Sequence, residues 1–94
     1  MRLIRRNPAR SALVLARGVA ATPVGDGTML VDRRGTLLHL NTTAAVMLDA
    51  LLAGGLDAAA TAAHQRFEIT EDTARADAVR LLAQLLDRKL VRWT

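Results

Sequence analysis

The sequence predicts an α+β domain in which a three-stranded antiparallel sheet is followed by three helices. Three observations predict it. Between residues 18 and 40, short apolar runs are separated by turns rich in glycine and aspartate, the pattern of strands. Beyond Asn41 the apolar residues recur at helical spacing instead. The chain has 94 residues, 51% of them hydrophobic, which suffices for one modest core and argues against disorder of the whole.

Residues 1–17 read as a basic arm. Arg2, Arg5, Arg6, Arg10 and Arg17 fall there with no acid among them, and the rest of the chain is close to neutral. The apolar run at residues 12–16 is too short for a signal-peptide core and ends at Arg17. The arm is expected to be mobile or loosely docked, and residues 18–94 to form the folded domain.

Strands are expected at residues 18–22, 28–32 and 36–40, with a breaker at residues 23–27. Asp32, Arg33, Arg34 and Gly35 have the form of a tight hairpin, Gly35 taking the left-handed position. Strand alternation puts Leu38 and Leu40 on one face and Leu37 and His39 on the other, with Met29 and Val31 opposed to Leu30. Both faces are therefore apolar. Helices can cover one; the other invites a partner or a weak homodimer.

Asn41, Thr42 and Thr43 form a capping cluster before a helix over residues 44–53, which Gly54 and Gly55 end. Asp57 can cap a second helix over residues 58–67. Thr70 can cap a third, with Glu71 and Asp72 where the helix dipole favours acids. In that third helix Ala74, Ala78, Leu81, Leu82, Leu85 and Leu86 keep helical spacing. Leu90, Val91 and Trp93 form an apolar tail able to fold back on the sheet. A winged helix-turn-helix architecture is the natural form for this order of elements. No stretch approaches the roughly 20 apolar residues that span a membrane. With no cysteine, this fits a cytoplasmic protein.

Catalysis finds little support. Ser11 is the one serine, and His39 and His64 have no ligand spacing around them. The missing cysteine excludes disulfides, thiolate metal sites and a thiol nucleophile. No metal or cofactor is expected. A small winged-helix DNA-binding regulator is the alternative. However, Arg75, Arg80, Arg88 and Lys89 of the third helix are interleaved with Asp72, Asp77 and Asp87, the mixture of a solvated face. Binding of an extended peptide remains. An edge strand has unpaired backbone groups, and a peptide strand can supply their partners. A groove between the third strand and the third helix would have a backbone wall and an apolar wall. Leu38 and Leu40 read as core residues.

The run Asp26-Gly27-Thr28-Met29-Leu30-Val31-Asp32, then Arg34-Gly35, then Leu40-Asn41-Thr42-Thr43-Ala44-Ala45, resembles the PqqD-like family, also called RiPP recognition elements. Ala78, Leu81, Leu82, Leu85 and Leu90-Val91 fall at that family's apolar positions, so the resemblance covers residues 18–93. It implies a non-catalytic peptide chaperone. The leader segment of a ribosomally made precursor peptide would add as a fourth strand beside the third, against the third helix. In the lasso-peptide branch, which the chain resembles most, such a protein presents its precursor to a leader-cleaving cysteine protease and an ATP-dependent cyclase. Other members serve radical SAM enzymes. On this pattern the peptide would pair with the backbone of Thr36, Leu37, Leu38, His39 and Leu40. Its anchors would enter a groove lined by Leu37, His39, Ala78, Leu81 and Leu85, with Asp77, Arg80 and Gln84 reading polar side chains. The chain departs from the family at Leu37, Leu38 and His39, where aromatics are frequent, at Lys89, where glycine is, and in its longer arm.

Overall fold

The structure, a computed structural model, describes residues 12–94. Arg2, Arg5, Arg6 and Arg10 of the arm lie outside the described residues. Strand β1 (Leu13–Leu15) is followed by β2 (Ala20–Val24), β3 (Gly27–Val31) and β4 (Leu37–Leu40), then helices α1 (Thr42–Phe67) and α2 (Glu71–Asp87), then β5 (Val91–Trp93).

Strands β2, β3 and β4 form the expected antiparallel sheet, with β3 in the middle. The β3–β4 hairpin closes as its sequence predicts. The Gly35 N–H donates to the Asp32 carbonyl at 3.1 Å, the Asp32 N–H to the Thr36 carbonyl at 3.1 Å, and Gly35 has φ +82°. This is the three-residue hairpin in which a turn is followed by a left-handed glycine.

Pro23 does not break a strand. It lies within β2, paired with Thr28. The Asp32–Thr36 bond fixes which residues of β3 bond to β4, namely Thr28, Leu30 and Asp32; Gly27, Met29 and Val31 then face β2. Pro23 is therefore at a position of the edge strand whose missing N–H costs no ladder bond. The turn sits at Gly25 and Asp26 instead, Gly25 at φ +59° as a type II′ turn requires.

Among the described residues there are two helices, not three. The segments expected as separate helices run together as α1, and only Gly55 has non-helical geometry, φ 85° and ψ −164°. The break expected at Gly54 and Gly55 is present as a kink at Gly55, but the two helical halves follow each other with no loop between them. By length and composition alone α1 could cross a membrane, although Asp49, Asp57 and the kink at Gly55 interrupt its apolar run. Here it serves as the core helix. Met47, Leu48, Leu51, Ala59, Ala60 and Ala63 are buried, and Asp49, Asp57 and Arg66 interrupt its surface. Asn41 caps α1, its side chain accepting from the Ala44 N–H at 2.9 Å. Thr70 caps α2 through the Thr73 N–H at 3.1 Å.

The core combines Leu30 and Leu40 of the sheet, the buried stripe of α1, and Ala74, Ala78, Leu81 and Leu85 of α2, closed by Leu13, Leu90 and Val91. The last three mark a second departure. Residues 13–15, expected within a loose arm, pair with β5 as a separate two-stranded sheet, Leu13 opposite Trp93 and Leu15 opposite Val91. The apolar tail thus joins β1 rather than the three-stranded sheet. Leu13 is buried, so this end of the arm is part of the core.

Candidate functional site

Strand β4 forms one edge of the three-stranded sheet. Because Leu38 and Leu40 bond to β3, the backbone N–H and C=O groups of Leu37 and His39 point away from the sheet along its open edge. The side chains of those two residues lie on the sheet face opposite Leu30, Leu38 and Leu40, the face turned from the helices. Leu37 is 57% exposed. The expected residues of β4 therefore divide: Leu37 and His39 offer backbone, Leu40 is buried, and Leu38 packs against the core. Thr36 is exposed at the strand entrance, where its N–H donates to the Asp32 carboxylate at 2.9 Å.

That carboxylate ties the hairpin together. It also accepts from the Arg34 N–H at 2.8 Å and faces the Arg34 guanidinium at 3.4 Å. The Thr36 hydrogen bond does most to hold the Asp32 carboxyl below the usual aspartate range. Partial desolvation works against it, and Arg34 adds to it.

Beside the strand exit is an open cleft of about 220 Å³. Its α2 wall is Asp77, Arg80, Leu81 and Gln84, a single stripe at i, i+3, i+4 and i+7. Its α1 wall is Asn41, Thr43, Ala44 and Met47. No Cα of α2 comes within 8 Å of β4. The amino end of α1 touches both, so the cleft is the unfilled space they share. The Arg80 guanidinium pairs with the Asp77 carboxylate across one turn of α2, leaving the rim polar but charge-balanced.

The structure thus brings Asp77, Arg80, Leu81 and Gln84 together as expected. It does not bring Ala78 and Leu85 there: both are fully buried against α1, on the other side of the α2 stripe. Leu37 and His39 line no part of the cleft. The α1 wall escaped the sequence reading. The signal was present in the cap itself, since Asn41 directly follows β4 and Thr43, Ala44 and Met47 stand at helical spacing after it. Among the described residues, no three of His, Cys, Asp and Glu gather closely enough to hold a metal ion.

The family model for coenzyme PQQ synthesis protein D (PqqD) matches residues 27–91. No curated protein matches the chain. Two solved structures share its fold. Lasso peptide synthetase B1 complexed with the leader peptide is 23% identical with a TM-score of 0.77, over 85% of this chain and 96% of that one. TbiB1 in complex with the TbiA(beta) leader peptide is 17% identical with a TM-score of 0.73, over 83% of this chain and 93% of that one.

Proposed function

The chain belongs to the PqqD family of RiPP recognition elements, and from that premise we propose that it is a non-catalytic protein that binds the leader segment of a precursor peptide in lasso-peptide biosynthesis. One observation carries the reading. Among the described residues the backbone groups of Leu37 and His39 stand unpaired on the edge of β4, and beside that edge opens a cleft with a mixed apolar and polar wall. An extended peptide can bond to the first and place alternate side chains in the second. Both neighbouring structures are complexes with a leader peptide, which supports this occupant.

The binding follows from ordinary strand energetics. Each added backbone hydrogen bond contributes about 1 kcal/mol net. Four residues of edge cannot offset the ordering of a flexible peptide alone, so apolar anchors in the cleft must supply the rest. Leu81 and Met47 form the apolar floor for such anchors, and Gln84, Asn41 and the Asp77–Arg80 pair select among neighbours. Bound in this way, the leader leaves the remainder of the precursor free. The chain would hand it to a leader-cleaving cysteine protease and an ATP-dependent cyclase.

Titration of the isotopically labelled chain with a synthetic leader, taken from a precursor gene beside its own, tests the proposal. Saturating leader should shift the amide signals of Leu37 and His39 together with those of Asp77, Arg80 and Gln84. A leader that binds while leaving both groups unmoved would show the site to be elsewhere. One that does not bind at all would remove the functional reading.

A further inference from the structure

We propose a second binding site, at the hairpin end of the sheet, for an acidic surface of another polypeptide. A hollow of about 250 Å³ there is lined by Arg17, Val19, Asp32, Arg33, Arg34 and Lys89. Three stretches of chain supply its four cations: the link from β1 to β2, the β3–β4 hairpin, and the turn after α2.

Specific contacts hold them together. The Ala16 N–H donates to the Leu90 carbonyl at 2.9 Å, which sets the neighbours Arg17 and Lys89 side by side. Arg33 lies across Gly18, so closely that a side chain at Gly18 would collide with it. Lys89 adopts a left-handed backbone, φ 59°, which a residue with a Cβ takes up only at a cost. A glycine would sit there without strain. The lysine keeps an ammonium at the rim instead.

The charge is not balanced from within. Asp32 is the one acid of the hollow, and its carboxylate is engaged with the Thr36 and Arg34 N–H groups and the Arg34 guanidinium. Among the described residues Arg17, Arg33 and Lys89 form no ion pair. Like charges gathered in one hollow repel, and an anion relieves them.

The form of the anion follows from the donors. Among the described residues no helix amino terminus faces the hollow, so no cluster of free backbone N–H groups is there to cradle a compact phosphate. Cations on long stems, spread over three segments, match carboxylates spaced along a polypeptide. The hollow shares no residue with the leader cleft and includes none of β4. An acidic polypeptide seated there can bind while the leader is held.

Hexaglutamate serves as the probe, added to the full labelled chain with pyrophosphate as the comparison. Hexaglutamate should shift Arg17, Gly18, Val19, Arg33, Arg34 and Lys89 and leave Leu37 and His39 unmoved, with affinity that falls as salt is raised. Replacing Arg33→Glu and Lys89→Glu together should weaken it about tenfold or more, while leader affinity stays unchanged. Should that double variant not fold, Lys89→Gly separates the roles: it removes charge and strain together, so stability should hold or rise while hexaglutamate affinity falls. Shifts confined to residues 1–11, tighter binding of pyrophosphate in the hollow, or displacement of hexaglutamate by leader would each overturn the proposal.

Discussion

Gly27 approaches Leu40 so closely that a side chain at Gly27 would collide with the Leu40 carbonyl oxygen. Gly27 opens β3 next to Thr28, the residue paired with Leu40 where β4 ends, one residue before the cap of α1. The obstacle is backbone, which cannot rotate aside. Gly27→Ala should therefore destabilise the fold by about 1–3 kcal/mol, the range for forced overpacking. Urea unfolding monitored by circular dichroism checks it. A variant as stable as the parent would mean that the sheet end can spread at no cost.

The alternation of bonds along β4 makes adjacent prolines unequal. His39→Pro removes an N–H that points to the open edge, whereas Leu38→Pro removes one that bonds to Leu30. The first should remain folded and lose about tenfold in leader affinity, one hydrogen bond plus the local fit. The second should unfold or lose most of its stability. Calorimetry with a synthetic leader, alongside circular dichroism, measures both. Equal leader affinity of parent and folded His39→Pro would exclude pairing at this residue.

Occupying the cleft should be the sharpest test of the peptide wall. Leu81→Glu, the obvious change, would place a charge at a residue only 6% exposed and threaten the fold as well as the site. Ala44→Trp instead fills part of the roughly 220 Å³ from a half-buried position on the rim. Leader affinity should fall about tenfold or more, as when an anchor pocket is blocked, with the circular dichroism spectrum unchanged. Arg80→Glu, on the exposed side of the cleft, should act more weakly and only at low salt.

The lowered pKa of Asp32 has a direction in pH. Its folded value lies below its unfolded one, so the stabilisation is complete above the ordinary aspartate value of 3.8 and is lost as pH falls from there through the folded value. Thermal unfolding of Asp32→Asn should lose that acid dependence while keeping much of the stability at neutral pH, since an amide oxygen still accepts from the Thr36 and Arg34 N–H groups. Asp32→Ala should be less stable than Asp32→Asn at every pH. Equal stability of the two would remove these hydrogen bonds from the account.

The chemistry of turns and caps was the readable part of this sequence. Asp32 and Gly35 announce the hairpin, Asn41 and Thr70 announce the helix starts, and each acts within four residues of itself. What could not be read depends on partners far away. Pro23 looks like a break until the edge position of β2 and its bonding phase are known. Gly54 and Gly55 do interrupt the helix, but the sequence does not say that its two halves will follow on without a loop. Leu13, Val14 and Leu15 are too few to show a strand, and their partner lies at the other end of the chain. The site divides the same way. The stripe of Asp77, Arg80, Leu81 and Gln84 is periodic and visible, but that Ala78 and Leu85 turn from it into the core is decided by where α1 packs.

The pairing of β1 with β5 also sets an order of events during synthesis. The three-stranded sheet and both helices are complete in sequence by Asp87, whereas β1 acquires its partner only once Val91, Arg92 and Trp93 have been made. Until then Leu13 has no strand to join, and the core face that Leu13, Leu90 and Val91 will cover stays open to water. Closing so long a loop costs little more entropy than closing one half its length. Val91, Arg92 and Trp93 therefore decide when the core of the described residues closes.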